Sequence, residues 1–231
     1  MLLRSPRAHV LSMFKECRYD SWGVSLWKRN ISQVPHSGTH QHDFEQWLEW
    51  YLRPHYRSWL GCYDPWNYQA RAMTSSRRNP HDIGANESYE PSVDSAIASY
   101  SEMDWVGIAD FYDESLCLLV SRLSTNAAQA LFSTHCRCAK RPRSILGSTE
   151  IVTHGTVRST HVRVDPTIAV KMDRITVVDK SLFLVALRCF FREIRGLEAR
   201  VGHRVLCPRV LKEAEPKLAY ITNVTTLYEN A

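Results

Sequence analysis

Two short apolar runs, Met1-Leu2-Leu3 and Trp105-Val106-Gly107-Ile108-Ala109, each lead directly into an amphipathic helical pattern, and this repeated order constrains the fold most. Such runs read as strands buried on both faces of a parallel sheet. After the first, Pro6 suits a first helical position, because its fixed φ is already helical and no N–H partner is needed there. Val10, Leu11, Phe14 and Cys17 then recur at three- and four-residue spacing, predicting a helix to about Tyr19 with one apolar stripe facing a sheet. After the second run, residues 110–123 predict a helix with Leu116, Leu119, Val120 and Leu123 on one face. Strand–helix alternation without an internal repeat predicts an α/β fold, a parallel sheet flanked by helices, in a single domain spanning 1–231. Residues 1–4 read as the last residues of a buried strand, so the domain is expected to be truncated at its N-terminus.

Further elements follow from periodicity. Phe44, Trp47, Leu48, Tyr51 and Leu52 fit a helical stripe, with Asp43 as N-cap and Pro54 ending the run. A long helix is expected from Asp179, as N-cap, through Phe183, Leu187, Phe190, Ile194 and Leu197 to Val201, with Gly202 in the C′ position. Residues 20–42, 75–92 and 133–165 are polar or aperiodic and are expected to be loops or irregular segments.

An apolar fraction of 44% with seven Trp, ten Tyr and seven Phe is that of a core-forming protein and excludes a disordered chain. No run of about eighteen apolar residues is present, and no signal-peptide pattern opens the chain. The net charge of +5 suits a protein that handles anions without requiring one. Of the seven cysteines, Cys117 and Cys189 fall among apolar helical residues and read as small buried hydrophobes, whereas Cys62, Cys136, Cys138 and Cys207 fall in loops where pairing is open. Three N-glycosylation sequons, at Asn30, Asn86 and Asn223, suit a secretory lumen.

The stretch Leu2-Leu3-Arg4-Ser5-Pro6-Arg7, continuing to Ser12, carries the most chemistry. An Arg that leaves a strand at the head of a helix brings a planar fork of donors to the positive end of the helix dipole, a good setting for a phosphate. An Arg, a Pro two residues on and a Ser eight residues on, after an apolar strand, resembles the 3′-phosphate-binding motif of sulfotransferases that use PAPS (3′-phosphoadenosine 5′-phosphosulfate). Asn67-Tyr68-Gln69-Ala70-Arg71, the stretch 106–116 and residues 179–207 are similar, in the same order, to stretches of the Golgi-type carbohydrate members. The resemblance implies a P-loop-like sulfotransferase fold, with Arg4 and Ser12 binding the 3′-phosphate and Arg7 adding positive potential without an assigned contact. It also implies PAPS as co-substrate without a metal, a carbohydrate acceptor rather than nucleic acid, and a Golgi lumen location. Membrane attachment would come only through an N-terminal anchor that these residues do not contain.

The chain departs from the family where the sulfonate end should sit. No Lys-Ser/Thr phosphate loop occurs in these residues, and the segment expected to carry the general base lies upstream in the family, so no catalytic residue is assigned. The alternative reading is a non-catalytic nucleotide- or glycan-binding module of the same fold. The other candidates have plainer readings. His135-Cys136-x-Cys138 lacks zinc-site spacing and a second cluster, which favours a disulfide or surface thiols. His36, His40 and His42 read as solvent-exposed imidazoles. Asp113 and Glu114 read as helix-start charges rather than an acid–base pair. Trp47 and Tyr51 read as core, whereas Trp50, Trp59 and Trp66 fall off the stripe and are candidates for a sugar platform. Arg77-Arg78 and Lys140-Arg141-Pro142-Arg143 read as solvated surface, with an acidic polysaccharide as the alternative partner.

Overall fold

The computed structural model describes residues 1–19, 23, 25, 39–53, 62–75, 90–123, 125–138 and 162–231. These residues are mostly helical, with one two-stranded parallel sheet, and the α/β expectation is met to that extent. Trp59, His36, the sequons at Asn30 and Asn86, and both surface basic clusters lie outside the described residues. The chain divides into two compact units. A sheet unit comprises Met1–Ser5, Tyr100–Ile151 and Leu182–Ala231, and a helical unit comprises Pro6–Ser99 and Val152–Ser181.

In the sheet unit, β1 (Leu2–Leu3) pairs in parallel with β2 (Gly107–Ile108), Leu2 opposite Gly107 and Leu3 opposite Ile108. Gly107 is required by close packing: a Cβ there would lie 2.8 Å from the Leu2 and Ser115 side chains and from the Trp105 ring. The chain then passes through a 3₁₀ turn (Ala109–Phe111) into α5 (Tyr112–Arg122). The buried face of α5 is Glu114, Ser115, Cys117 and Leu118, a correction to the expected stripe through Leu119 and Leu123, of which Leu123 is exposed. Two ties set this rotation. Ser115 Oγ accepts from the Ile108 N–H at 2.8 Å and donates to the Ile108 carbonyl at 3.0 Å. Cys117 is bonded to Cys136 at the end of α6 (Asn126–His135), a helix whose last residues run into the stretch 133–165 that was expected to be irregular.

The helix α8 (Val177–Val201) contributes residues 182–201 to this unit, followed by α9 (Pro208–Leu218) and α10 (Val224–Glu229). Gly202 has φ +69°, the left-handed C′ conformation its sequence position predicts. The core is an aromatic chain in which Phe111 stacks on Phe190 at 5.5 Å, Phe190 meets Phe191 at 5.5 Å, and Phe191 meets Tyr228 edge-on at 5.7 Å. A second cystine, Cys138–Cys207, joins the residue region after α6 to the start of α9.

In the helical unit, α1 (Pro6–Tyr19), α2 (His40–Leu52), α3 (Tyr68–Thr74) and α7 (Pro166–Ile175) surround one core; α4 (Val93–Ser101) also begins in this unit. The α1 stripe was expected to face a sheet. Val10, Phe14 and Cys17 instead bury into an all-helical cluster with Phe44, Trp47, Leu48, Ile168 and Met172. Phe14 lies 4.8 Å from Phe44 and 5.6 Å from Trp47, ring centre to ring centre. The α2 helix begins three residues before the expected cap, because Thr39 is its N-cap and Asp43 lies in its first turn. Asp43 is buried and receives two N–H bonds from Arg18 at 2.9 and 3.1 Å, linking α1 to α2. Lys171 to Glu49, at 2.7 Å, links α7 to α2. The α7 helix was not foreseen, although its start is well marked: Asp165 accepts from the Ile168 N–H at 2.9 Å and Pro166 occupies the first turn.

Candidate functional site

Arg4 is exposed, one residue past the buried Leu3 of β1 and two before Pro6 opens α1. Between them, Ser5 is buried, and both its donors go to one carboxylate: its N–H reaches Asp110 Oδ2 at 2.8 Å and its hydroxyl reaches Oδ1 at 2.9 Å. The strand end is thereby fixed against the turn that follows β2, within the sheet unit. Ser12 lies on the second turn of α1 and is half-buried; it belongs to the helical unit, whereas Arg4 belongs to the sheet unit.

Arg7 departs from its expected role. Its Nε and Nη2 donate to the two oxygens of Asp173, both at 2.7 Å, a bidentate pair that joins α1 to α7 and neutralises the positive potential expected there. His9 is half-buried, with its ring edge-on to Tyr68 at 5.4 Å.

The Asn67–Arg71 stretch forms a reciprocal lock between two helix starts. Asn67, at φ 40°, precedes α3, and its side-chain oxygen accepts from the Val178 N–H at 2.9 Å and the Asp179 N–H at 3.4 Å, in the first turn of α8. Asp179 returns the favour, accepting from the Ala70 N–H at 2.8 Å and the Gln69 N–H at 3.3 Å at the start of α3. Asp179 was expected to cap its own helix; it caps α3 instead, from inside the first turn of α8. Burial pushes its carboxyl up to about 7, against the opposing pull of the two amides and of Arg71. Arg71 is itself buried and holds Asp64, bonding its Oδ2 at 3.0 Å and its backbone carbonyl at 2.7 Å.

The closing segment contains a second polar joint. Glu198 Oε1 accepts from the Val205 N–H at 2.7 Å and the Leu206 N–H at 2.9 Å, while its other oxygen accepts the Tyr228 hydroxyl. Burial, followed by the Glu198 hydrogen bond, pushes the Tyr228 phenol up to about 12. Each stretch that carries the sequence resemblance outside the Arg4 region therefore holds backbone ends together. Sequence reasoning missed the partners Asp110 and Asp173, which lie 105 and 166 residues from the donors they serve.

The remaining candidates resolve simply. Cys136 and Cys138 are bonded to different partners, Cys117 and Cys207, so the His135-Cys-x-Cys thiols are not metal ligands. Among the described residues no group of His, Cys, Asp and Glu is placed to hold a metal ion. Cys117 is a cystine half rather than a buried thiol, and Cys189 is the cysteine left as a thiol. His40 and His42 are exposed, while Asp113 and Glu114 lie in the first turn of α5. Trp47 and Tyr51 are core, as expected, but so is Trp50, at 8% exposure. Trp66 is half-buried, and its indole N–H is bonded to the Tyr51 carbonyl at 2.7 Å. No helix among the described residues is long and apolar enough to cross a membrane. Compared with known protein families, curated proteins and solved structures, the chain matches none.

Proposed function

We propose that this chain is the C-terminal part of a PAPS-dependent carbohydrate sulfotransferase of P-loop-like fold, and that Arg4 and Ser12 bind the 3′-phosphate of the nucleotide. One observation carries the reading: an exposed arginine stands at the end of a buried strand in a parallel pair, immediately before a proline-started helix. That arrangement offers an anion a planar donor fork and a helix start together. The three cystines add support, since disulfides persist in the oxidising lumen where such enzymes work.

In the reaction, the sulfonate sulfur forms a bond to the acceptor hydroxyl oxygen and loses its bond to the nucleotide phosphate oxygen. The hydroxyl proton passes to a base, and adenosine 3′,5′-bisphosphate leaves. The contribution assigned to this chain is positional: holding the 3′-phosphate fixes the nucleotide while the sulfonate end is handled upstream, so transfer depends on orientation and charge stabilisation.

The test is nucleotide binding. Arg4→Ala should weaken adenosine 3′,5′-bisphosphate binding by roughly 1.5–3 kcal/mol, the worth of a charge-assisted hydrogen bond, or about ten- to a hundredfold in Kd by calorimetry. Arg4→Lys should recover part of the loss, because a point charge replaces the fork. Unchanged affinity in Arg4→Ala would remove the arginine from the site.

A further inference from the structure

We infer that Asn223 carries an N-linked glycan while still capping α10. The inference rests on the lumenal location in the proposed function and on no other part of it. Asn223-Val224-Thr225 satisfies the acceptor pattern, in which the side-chain amide nitrogen is the nucleophile and the hydroxyl residue two positions on is required. The structure adds what the motif alone lacks. Asn223 is exposed at the head of a surface helix, and its Oδ1 accepts from the Thr226 N–H at 2.7 Å. The cap uses the oxygen, whereas a glycan attaches through the nitrogen. Glycosylation leaves the amide an amide, so the carbonyl oxygen keeps its lone pairs and the cap survives the modification.

The hydroxyl residue of the sequon is held separately. Thr225 Oγ1 and N both donate to Glu215 Oε2 of α9, at 3.0 and 3.1 Å, which ties the start of α10 to its neighbour without using any atom of Asn223. Val224, between them, is fully buried and anchors the turn, while Asn223 is exposed. A glycan here would stand on a rigid helix start. The modification balances simply: the amide nitrogen forms a bond to the anomeric carbon of a lipid-linked oligosaccharide, losing a proton as the lipid diphosphate departs.

The full chain, directed into the secretory pathway of a eukaryotic cell, should be recovered with the Asn223 peptide converted to Asp by peptide N-glycosidase F, as read by tryptic mass spectrometry. Asn223→Asp, which keeps a capping oxygen but no acceptor nitrogen, should abolish one glycosidase-sensitive mobility step and leave the thermal midpoint close to that of wild type made with glycosylation blocked by tunicamycin. Thr225→Ser should retain the step and Thr225→Ala should lose it. Recovery of the secreted, folded chain with Asn223 unmodified would overturn the inference. A glycosylated Asn223 in a protein that does not bind adenosine 3′,5′-bisphosphate would sink the nucleotide assignment and leave this one standing.

Discussion

Replacing Cys17 and Cys62 together by alanine should destabilise the helical unit by about 4 kcal/mol, the loop-closure cost released when a cross-link spanning 45 residues is removed. The bond joins the buried face of α1 to the segment that leads into α3, with Cys17 fully buried and Cys62 at 4% exposure. Cys17 Sγ also accepts the Tyr63 N–H at 3.3 Å, so that amide loses a partner as well. Urea unfolding of the double variant should show the loss as a lower midpoint. Cys189→Ser, which removes no cross-link, should move the midpoint far less. Equal behaviour of the two variants would mean that the Cys17–Cys62 bond does not hold the unit together.

The second large effect concerns Asp179. Asp179→Ala leaves the Gln69 and Ala70 N–H groups without their acceptor in a buried setting, at about 1–3 kcal/mol for each. Asp179→Asn keeps a carbonyl oxygen and should cost less. It also removes a titration whose sign is set by the raised folded value. Burial raises Asp179 from 3.8 in the unfolded chain to about 7 in the fold, so between those values the folded state holds a proton that the unfolded state has released. Its stabilising contribution is therefore complete below about pH 4, falls as pH rises toward 7, and is level above that, with a slope of at most about 1.4 kcal/mol per pH unit. The unfolding free energy of wild type minus that of Asp179→Asn, measured across this window, should fall as pH rises. A difference that stays constant or grows with pH would contradict the burial of this carboxyl.

The sequence revealed helices best where one apolar stripe fed one core. The α1 helix ends at Tyr19, as its spacing predicts, and the last turns of α8 close on Gly202 as its position predicts. Apolar spacing alone misjudged what lies opposite. The α1 stripe meets α2 and α7 instead of a sheet, and α7 went unforeseen because it is short and its buried positions are few: Ile168, Ala169, Met172 and Ile175. The rotation of α5 was hidden because the inward face carries a tied serine and a cystine half beside Leu118, rather than the stripe of Leu116, Leu119, Val120 and Leu123. Polar partners separated by a hundred residues left no local trace. Asp179 reads locally as a cap for its own helix, and only the fold shows that the helix it caps begins at Tyr68. Of the candidate site, the order strand, arginine, proline-started helix was legible; the pairing of Arg7 with Asp173 was not.

Calorimetric titration of the wild-type chain with adenosine 3′,5′-bisphosphate and with adenosine 5′-monophosphate compares ligands that differ only in the phosphate assigned to Arg4 and Ser12. The bisphosphate should bind at least about tenfold more tightly, the lower bound of a charge-assisted contact. Equal affinities, or no binding of either nucleotide, would contradict the assignment.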